Sequence, residues 1–307
     1  MTAGWSLDGR TAFVTGGSRG LGFASAQALL ARGAKVAIIS RNDADVKAAA
    51  ARLDSGTSPN VLPIVADVTD DESVKAALAQ AHGWQGRLDI LVNNAGPQLA
   101  PTPVTEADLD VITSAFDTKL LGFLRVSRAA LPLLSETGKG SIVNVAGATA
   151  HVPIPNTGVT GMVNASVVAL TSFLASEAAP TNVRVNAISP GMTKTEGWLA
   201  KNEAAAAQQD ISADDVRAGV VKALGIRLGR WAEPAEVGAA VAFLTSDDAS
   251  YITGQVLRVD GGLSKPVACR PHWPSASSMR RRPEVEPLGR RRVLPPAGDL
   301  VFALVGK

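Results

Sequence analysis

Tyrosine and cysteine each occur once in this 307-residue chain, as Tyr251 and Cys269, and histidine occurs three times. A single cysteine excludes a disulfide framework within the chain and a cysteine-based zinc site. His82, His151 and His272 are scattered without ligand spacing, so no metal site is expected. No apolar run reaches the roughly 18–20 residues needed to cross a bilayer, and residues 1–10 lack a basic start followed by an apolar segment. A cytoplasmic location without a membrane partner is therefore the default expectation. Charge is modest too, at 19% of residues and a net +2. Residues 266–307 hold seven arginines and one lysine against Glu284, Glu286 and Asp299, which leaves the rest of the chain slightly acidic. Such a surface is a poor match for nucleic acid.

Apolar residues are abundant, at 46%, enough for one large core or two small ones. Short β-type runs alternate with helical patterns from residue 11 to residue 259, the mark of βαβ units and a parallel sheet. Strands are predicted at 11–15, 35–40, 61–65, 88–93, 140–145, 183–189 and 255–259, several of them apolar throughout, as strands covered on both faces are. Helices are predicted at 22–32, 72–82, 107–134, 161–179 and 233–245. The fold class is α/β: a single Rossmann-like doubly wound domain over residues 1–265, with a seven-stranded parallel sheet and helices on both faces. The polar, alanine-rich stretch 195–229 reads equally well as a mobile lid over a cleft and as a plain pair of surface helices. Prolines and the basic triplets 280–282 and 290–292 make 266–307 an extension expected to be poorly ordered.

Between the first strand and the first helix lies Thr15-Gly16-Gly17-Ser18-Arg19-Gly20-Leu21-Gly22. Glycine at 16, 20 and 22 permits a tight turn, close approach of backbone to a pyrophosphate, and close packing of helix on strand. Backbone amides at the helix start then face the phosphates, so Gly16, Ser18, Arg19, Gly20, Leu21 and Gly22 are candidate dinucleotide contacts. Cofactor choice is set at the end of the second strand, where an acidic side chain would bind a ribose diol. Ser40 and Arg41 stand there instead. The Arg41 guanidinium, helped by Arg19, suits a 2′-phosphate, so NADP(H) is preferred over NAD(H).

With these segments on the page, the chain from about Leu7 to Leu263 resembles the short-chain dehydrogenases/reductases. The resemblance rests on the glycine turn, Asp67-Val68, Asn93-Asn94-Ala95-Gly96, the run Arg184 to Gly191, and Thr253-Gly254 with Asp260-Gly261-Gly262. It implies that Asp67 and Val68 hold the adenine, that Asn94, Ala95 and Gly96 line the cofactor, and that Pro190, Gly191, Met192, Thr193 and Thr195 hold the nicotinamide amide. It also implies a homodimer or homotetramer built from the helices at 107–134 and 161–179 and the last strand.

The same resemblance implies an Asn, a Ser and a Tyr-x-x-x-Lys pair as the catalytic group. Register from both sides puts Lys119 at the Asn position, Gly147 at the Ser, Thr160 at the Tyr and Asn164 at the Lys. Carbonyl reduction needs a proton donor whose pKa lies near the working pH, and a threonine hydroxyl is far too weak an acid. Tyr251, near the last strand, is the only phenol. Lys119 is the leading substitute, as proton donor, electrostatic stabiliser or amine nucleophile, because burial would lower its pKa. A lysine that merely fills space, or that pairs with a carboxylate such as Asp117, is the plainer reading. His151, Thr160 and Asn164 complete the catalytic candidates, with Asn156, Thr157 and Thr193 nearby. Small residues at 147, 160 and 164 imply room for a bulky small-molecule substrate. Three functions stay open: an atypical NADP(H)-dependent oxidoreductase, a non-redox cyclase, isomerase or lyase on the same scaffold, and a non-catalytic dinucleotide-binding regulator.

Overall fold

A computed structural model describes residues 5–54 and 60–264; the basic, proline-rich stretch 266–307 lies outside them. Seven strands, β1 (Thr11–Thr15), β2 (Lys35–Ser40), β3 (Val61–Val65), β4 (Ile90–Asn93), β5 (Ser141–Val145), β6 (Arg184–Pro190) and β7 (Val256–Val259), form one parallel sheet in the order β3-β2-β1-β4-β5-β6-β7. Successive side chains in a strand point to opposite faces, and the apolar residues divide accordingly. Ala12, Val14, Val36, Ile38, Ile90 and Val92 pack into one core with Leu29, Val237 and Val241. Phe13, Ala37, Ile39 and Leu91 pack into the other with Leu78, Val126, Leu134 and Leu174. The doubly wound arrangement expected from the sequence is present.

The helices on the first face are α1 (Gly20–Leu30), α2 (Asp43–Leu53) and α9 (Pro234–Thr245), and on the second α3 (Asp71–Gln85), α5 (Gly122–Glu136) and α6 (Gly158–Ala178). Local chemistry sets several starts. The Asp70 carboxylate accepts from Ser73 N–H at 2.7 Å ahead of α3, and α9 opens on Pro234 with a reciprocal Glu233–Glu236 capping box.

Three expectations change. The sequence reading contains no helix at 43–53, yet α2 forms there, capped by Asn42, whose side chain accepts from Asp45 N–H at 2.9 Å. The helix expected over 107–134 is divided: α4 (Leu109–Ala115) passes into a π-helical turn, Phe116–Leu121, before α5. There Gly122 N–H reaches back five residues to Asp117 O. Finally, Gly158–Thr181 is apolar and long enough to cross a bilayer by length and composition, so the expectation that no such stretch exists is corrected. Its face carrying Val163, Val167, Leu174 and Ala178 is buried against the protein.

Candidate active site

A cleft of about 440 Å³ opens at the carboxyl ends of the strands, beside β1 and β4, where the strand order reverses. That is the switch point at which doubly wound sheets bind dinucleotides. Gly16, Ser18, Arg19, Gly20 and Leu21 line one end of it. The turn is locked to β4 by two side chains. Thr15 Oγ1 accepts from Asn94 N–H and Ala95 N–H at 2.9 and 3.1 Å, and Asn94 Nδ2 donates to the Thr15 and Gly16 carbonyls, both at 3.1 Å.

A dinucleotide fits this cradle. A Cβ on Gly22 would press into the Gly16 carbonyl oxygen and lie 2.5 Å from Asn94 Nδ2, so glycine there holds the turn open. Above Gly20 the nearest neighbour of a built Cβ is Thr195 Cγ2 at 3.7 Å, which leaves the face of the turn free for phosphate. Arg41 and Arg19 are exposed at this end, and among the described residues neither forms an ion pair. Asp67 and Val68 line the cleft beside them. Burial pushes the Asp67 carboxyl up, but hydrogen bonds from Thr69 and the nearby Arg41 and Arg125 charges outweigh it and hold the group below its ordinary pKa.

Gly96, Thr118, Lys119, Ala146 and Thr160 line the cleft as well, together with Gly191, Thr193 and Thr195. Lys119 projects from the π-helical turn, its stem crossing Gly96, where a Cβ would sit 3.3 Å from Lys119 Cδ. Its ammonium donates to Ala146 O at 3.2 Å and to Asn164 Oδ1 at 2.7 Å. Burial lowers its pKa from 10.5 to about 8, and among the described residues no charged neighbour acts on it. The plainer pairing with Asp117 does not occur: Asp117 binds Arg125 at 2.7 Å.

Not every candidate residue reaches the cleft. Gly22 lies beneath the turn, Pro190 is buried at the end of β6, and Met192 lines a separate hollow with Arg227 and Arg258. Asn164 is buried behind Lys119 rather than lining the cavity. His151 is also absent from the cleft wall. It is partly buried, with Nε2 unpartnered among the described residues, and burial together with Arg258 outweighs Asp260 and lowers its pKa. The stretch 195–229 holds two helices, α7 (Glu196–Gln209) and α8 (Ala213–Leu224), and Glu196, Gly197, Trp198 and Lys201 of α7 wall the cleft.

Sequence reasoning missed a buried polar chain beneath the site. Asn93 Nδ2 donates to Ser127 Oγ and Asn144 Oδ1, and Asn144 Nδ2 donates to Thr171 Oγ1, all at 2.9 Å. An asparagine inside the apolar strand Ser-Ile-Val-Asn-Val was the available signal.

The fold and the cradle define a dinucleotide-binding α/β protein. Residues 16–264 match the family model described as enoyl-(acyl carrier protein) reductase. An uncharacterised oxidoreductase of Methylorubrum extorquens is 36% identical over 262 residues, 84% of this chain and 98% of that protein. The 3-oxoacyl-[acyl-carrier-protein] reductase FabG of Vibrio harveyi is 34% identical over 260 residues, 84% of this chain and 98% of its own. L-sorbose reductase of Gluconobacter frateurii, solved with NADPH and L-sorbose, superposes with a TM-score of 0.81 at 27% identity, covering 86% of this chain and 99% of that one. The chain belongs to the short-chain dehydrogenase/reductase superfamily, a group of NAD(P)-binding oxidoreductases.

Proposed function

We propose that the protein is an NADP(H)-dependent oxidoreductase for the carbonyl or alcohol group of a bulky small molecule, with Lys119 in place of a tyrosine as the proton-exchanging group. The observation that carries this reading is the Lys119 ammonium, set in the cleft wall with a pKa near 8 and two neutral acceptors. When bound, NADP(H) supplies or accepts the hydride. Lysine Nζ has three protons when charged. In reduction one passes to the carbonyl oxygen as it becomes a hydroxyl, while the other two stay on Nζ, donated to Ala146 O and Asn164 Oδ1. The neutral amine that remains keeps both hydrogen bonds and turns a lone pair to the product hydroxyl. Proton transfer of this kind is most effective when the donor's pKa lies near the working pH.

Tyr251, the sole tyrosine, is fully exposed and outside the cleft, and Thr160 presents only a hydroxyl where the family resemblance places the phenol. Arg19 and Arg41, exposed at the adenosine end and in no ion pair among the described residues, support the 2′-phosphorylated cofactor, as does NADPH in the L-sorbose reductase. Leu109, Leu121, Met162 and Phe173, exposed along α4 to α6, support a homodimer or homotetramer.

The test is NADPH titration by fluorescence, then single-turnover loss of reduced-nicotinamide absorbance with a panel of ketones and enones. Binding followed by oxidation, reduced roughly a hundredfold or more by Lys119→Met, is the expected result. Absence of NADPH binding overturns the reading. Binding without oxidation on any substrate transfers the assignment to a non-redox enzyme or a dinucleotide-responsive regulator.

A further inference from the structure

Asn164 is 3% exposed, sits in the second turn of α6 and never reaches the cleft wall. A buried amide in an apolar helix must find partners for both its ends. Its Nδ2 donates to Thr149 Oγ1 at 2.8 Å, and its Oδ1 accepts from Lys119 Nζ at 2.7 Å. Only one amide orientation satisfies both. An ammonium has no acceptor, so the flipped amide would set N–H against N–H, and in the orientation the ammonium selects the Thr149 hydroxyl accepts from Nδ2 on the far side.

Gly147 completes the constellation. Its φ of 170° is extended backbone that any residue adopts. Glycine is required there for a different reason: a Cβ would fall 2.6 Å from Asn164 Nδ2 and 3.3 Å from Asn164 Cγ. Asp117, two residues before Lys119, is engaged by Arg125, and no charged group among the described residues acts on Lys119.

We propose that Asn164 and Thr149 are the positioning residues of the Lys119 ammonium, and that residue 147 is glycine because the Asn164 amide fills the space a side chain would need. The proposal rests on the reading of Lys119 given above. It further means that lysine and asparagine stand exchanged between the π-helical turn and α6 relative to the pattern that the family resemblance implies.

The test reads the amine directly, without cofactor or substrate. Lys119 in the full chain is acetylated with trace acetic anhydride across a pH series and quantified by peptide mass spectrometry. Asn164→Asp keeps the side-chain shape but sets a carboxylate against the ammonium, so labelling near pH 8 falls about tenfold or more. Asn164→Leu withdraws the acceptor, and labelling below pH 8 rises severalfold. Thr149→Val, a milder change, gives a smaller rise. Opposite effects of the two Asn164 variants cannot come from general loosening of the fold. A Lys119 labelling curve unchanged in Asn164→Asp overturns the positioning role.

The glycine is tested by melting: Gly147→Ala lowers Tm in the parent and has little effect in an Asn164→Ala background. Equal losses in both backgrounds overturn that part. If labelling shifts as expected while Lys119→Met leaves turnover intact, the positioning stands and the proposed function fails.

Discussion

Replacing Lys119 by methionine should change how stability depends on pH, by an amount set by the burial of the ammonium. The folded-state pKa of about 8 lies below the ordinary 10.5. Below pH 8 both folded and unfolded chains carry the proton, and the folded state bears the full penalty of holding a cation away from water. Between about 8 and 10.5 the unfolded chain binds more protons than the folded one, so stability rises with pH; above that window the penalty is gone. A gap of about 2.5 pH units corresponds to about 3 kcal/mol.

Methionine also loses the bonds to Ala146 O and Asn164 Oδ1, leaving two buried acceptors that cost about 1–3 kcal/mol each in the variant at every pH. That loss is constant, so the informative quantity is the change in the difference between parent and variant. Urea unfolding of both proteins at several pH values from 7 to 10.5 measures it. The parent should gain about 3 kcal/mol on the variant across the series. Parallel curves would refute the claim that Lys119 is a cation drawn out of water with only neutral partners.

Catalytic rates carry the same titration. In the proposed mechanism reduction draws on the protonated lysine, so turnover should decline as pH rises through about 8, whereas oxidation of an alcohol should increase through the same range. In Gly22→Ala the new methyl meets the Gly16 carbonyl and Asn94 Nδ2. NADPH affinity, followed by nicotinamide fluorescence, should fall at least about tenfold with a lowered Tm. Arg41→Glu should weaken NADPH by roughly tenfold or more and leave NADH binding much less affected; equal losses for both would remove Arg41 from 2′-phosphate recognition.

The sheet and the cradle were legible because their signals are local. Valine and isoleucine runs between glycine and proline mark strands, and the glycine turn lies wholly between β1 and α1. Helix α2 was not legible: Asp-Ala-Asp-Val-Lys-Ala-Ala-Ala-Ala-Arg-Leu offers only Val46, Ala49 and Ala50 as buried anchors, too weak a periodic signal. The π-helical turn that aims Lys119 has no compositional mark, since one extra residue per turn changes hydrogen bonding rather than pattern. Lys119 itself stood out by its position. Its hydrogen-bond partner Asn164 lies 45 residues further along the chain, a contact that exists only once β5 and α6 have packed. His151, chosen for its titration range, was carried by the loop after β5 to the Arg258 and Asp260 side of the molecule.

The buried chain from Asn93 through Asn144 to Thr171 and Ser127 joins β4, β5, α5 and α6. It thereby fastens the neighbours of both Lys119 and Asn164 to the same two strands. On the opposite wall, α7 is held by an edge-on contact between Trp198 and Trp231, by Asn202 bound to Ala213 O, and by a long exposed pair between Arg52 and Glu196. One jaw of the cleft is thus an anvil, tied by buried hydrogen bonds to the central strands, and the other a leaf, fastened by side-chain contacts along its edge.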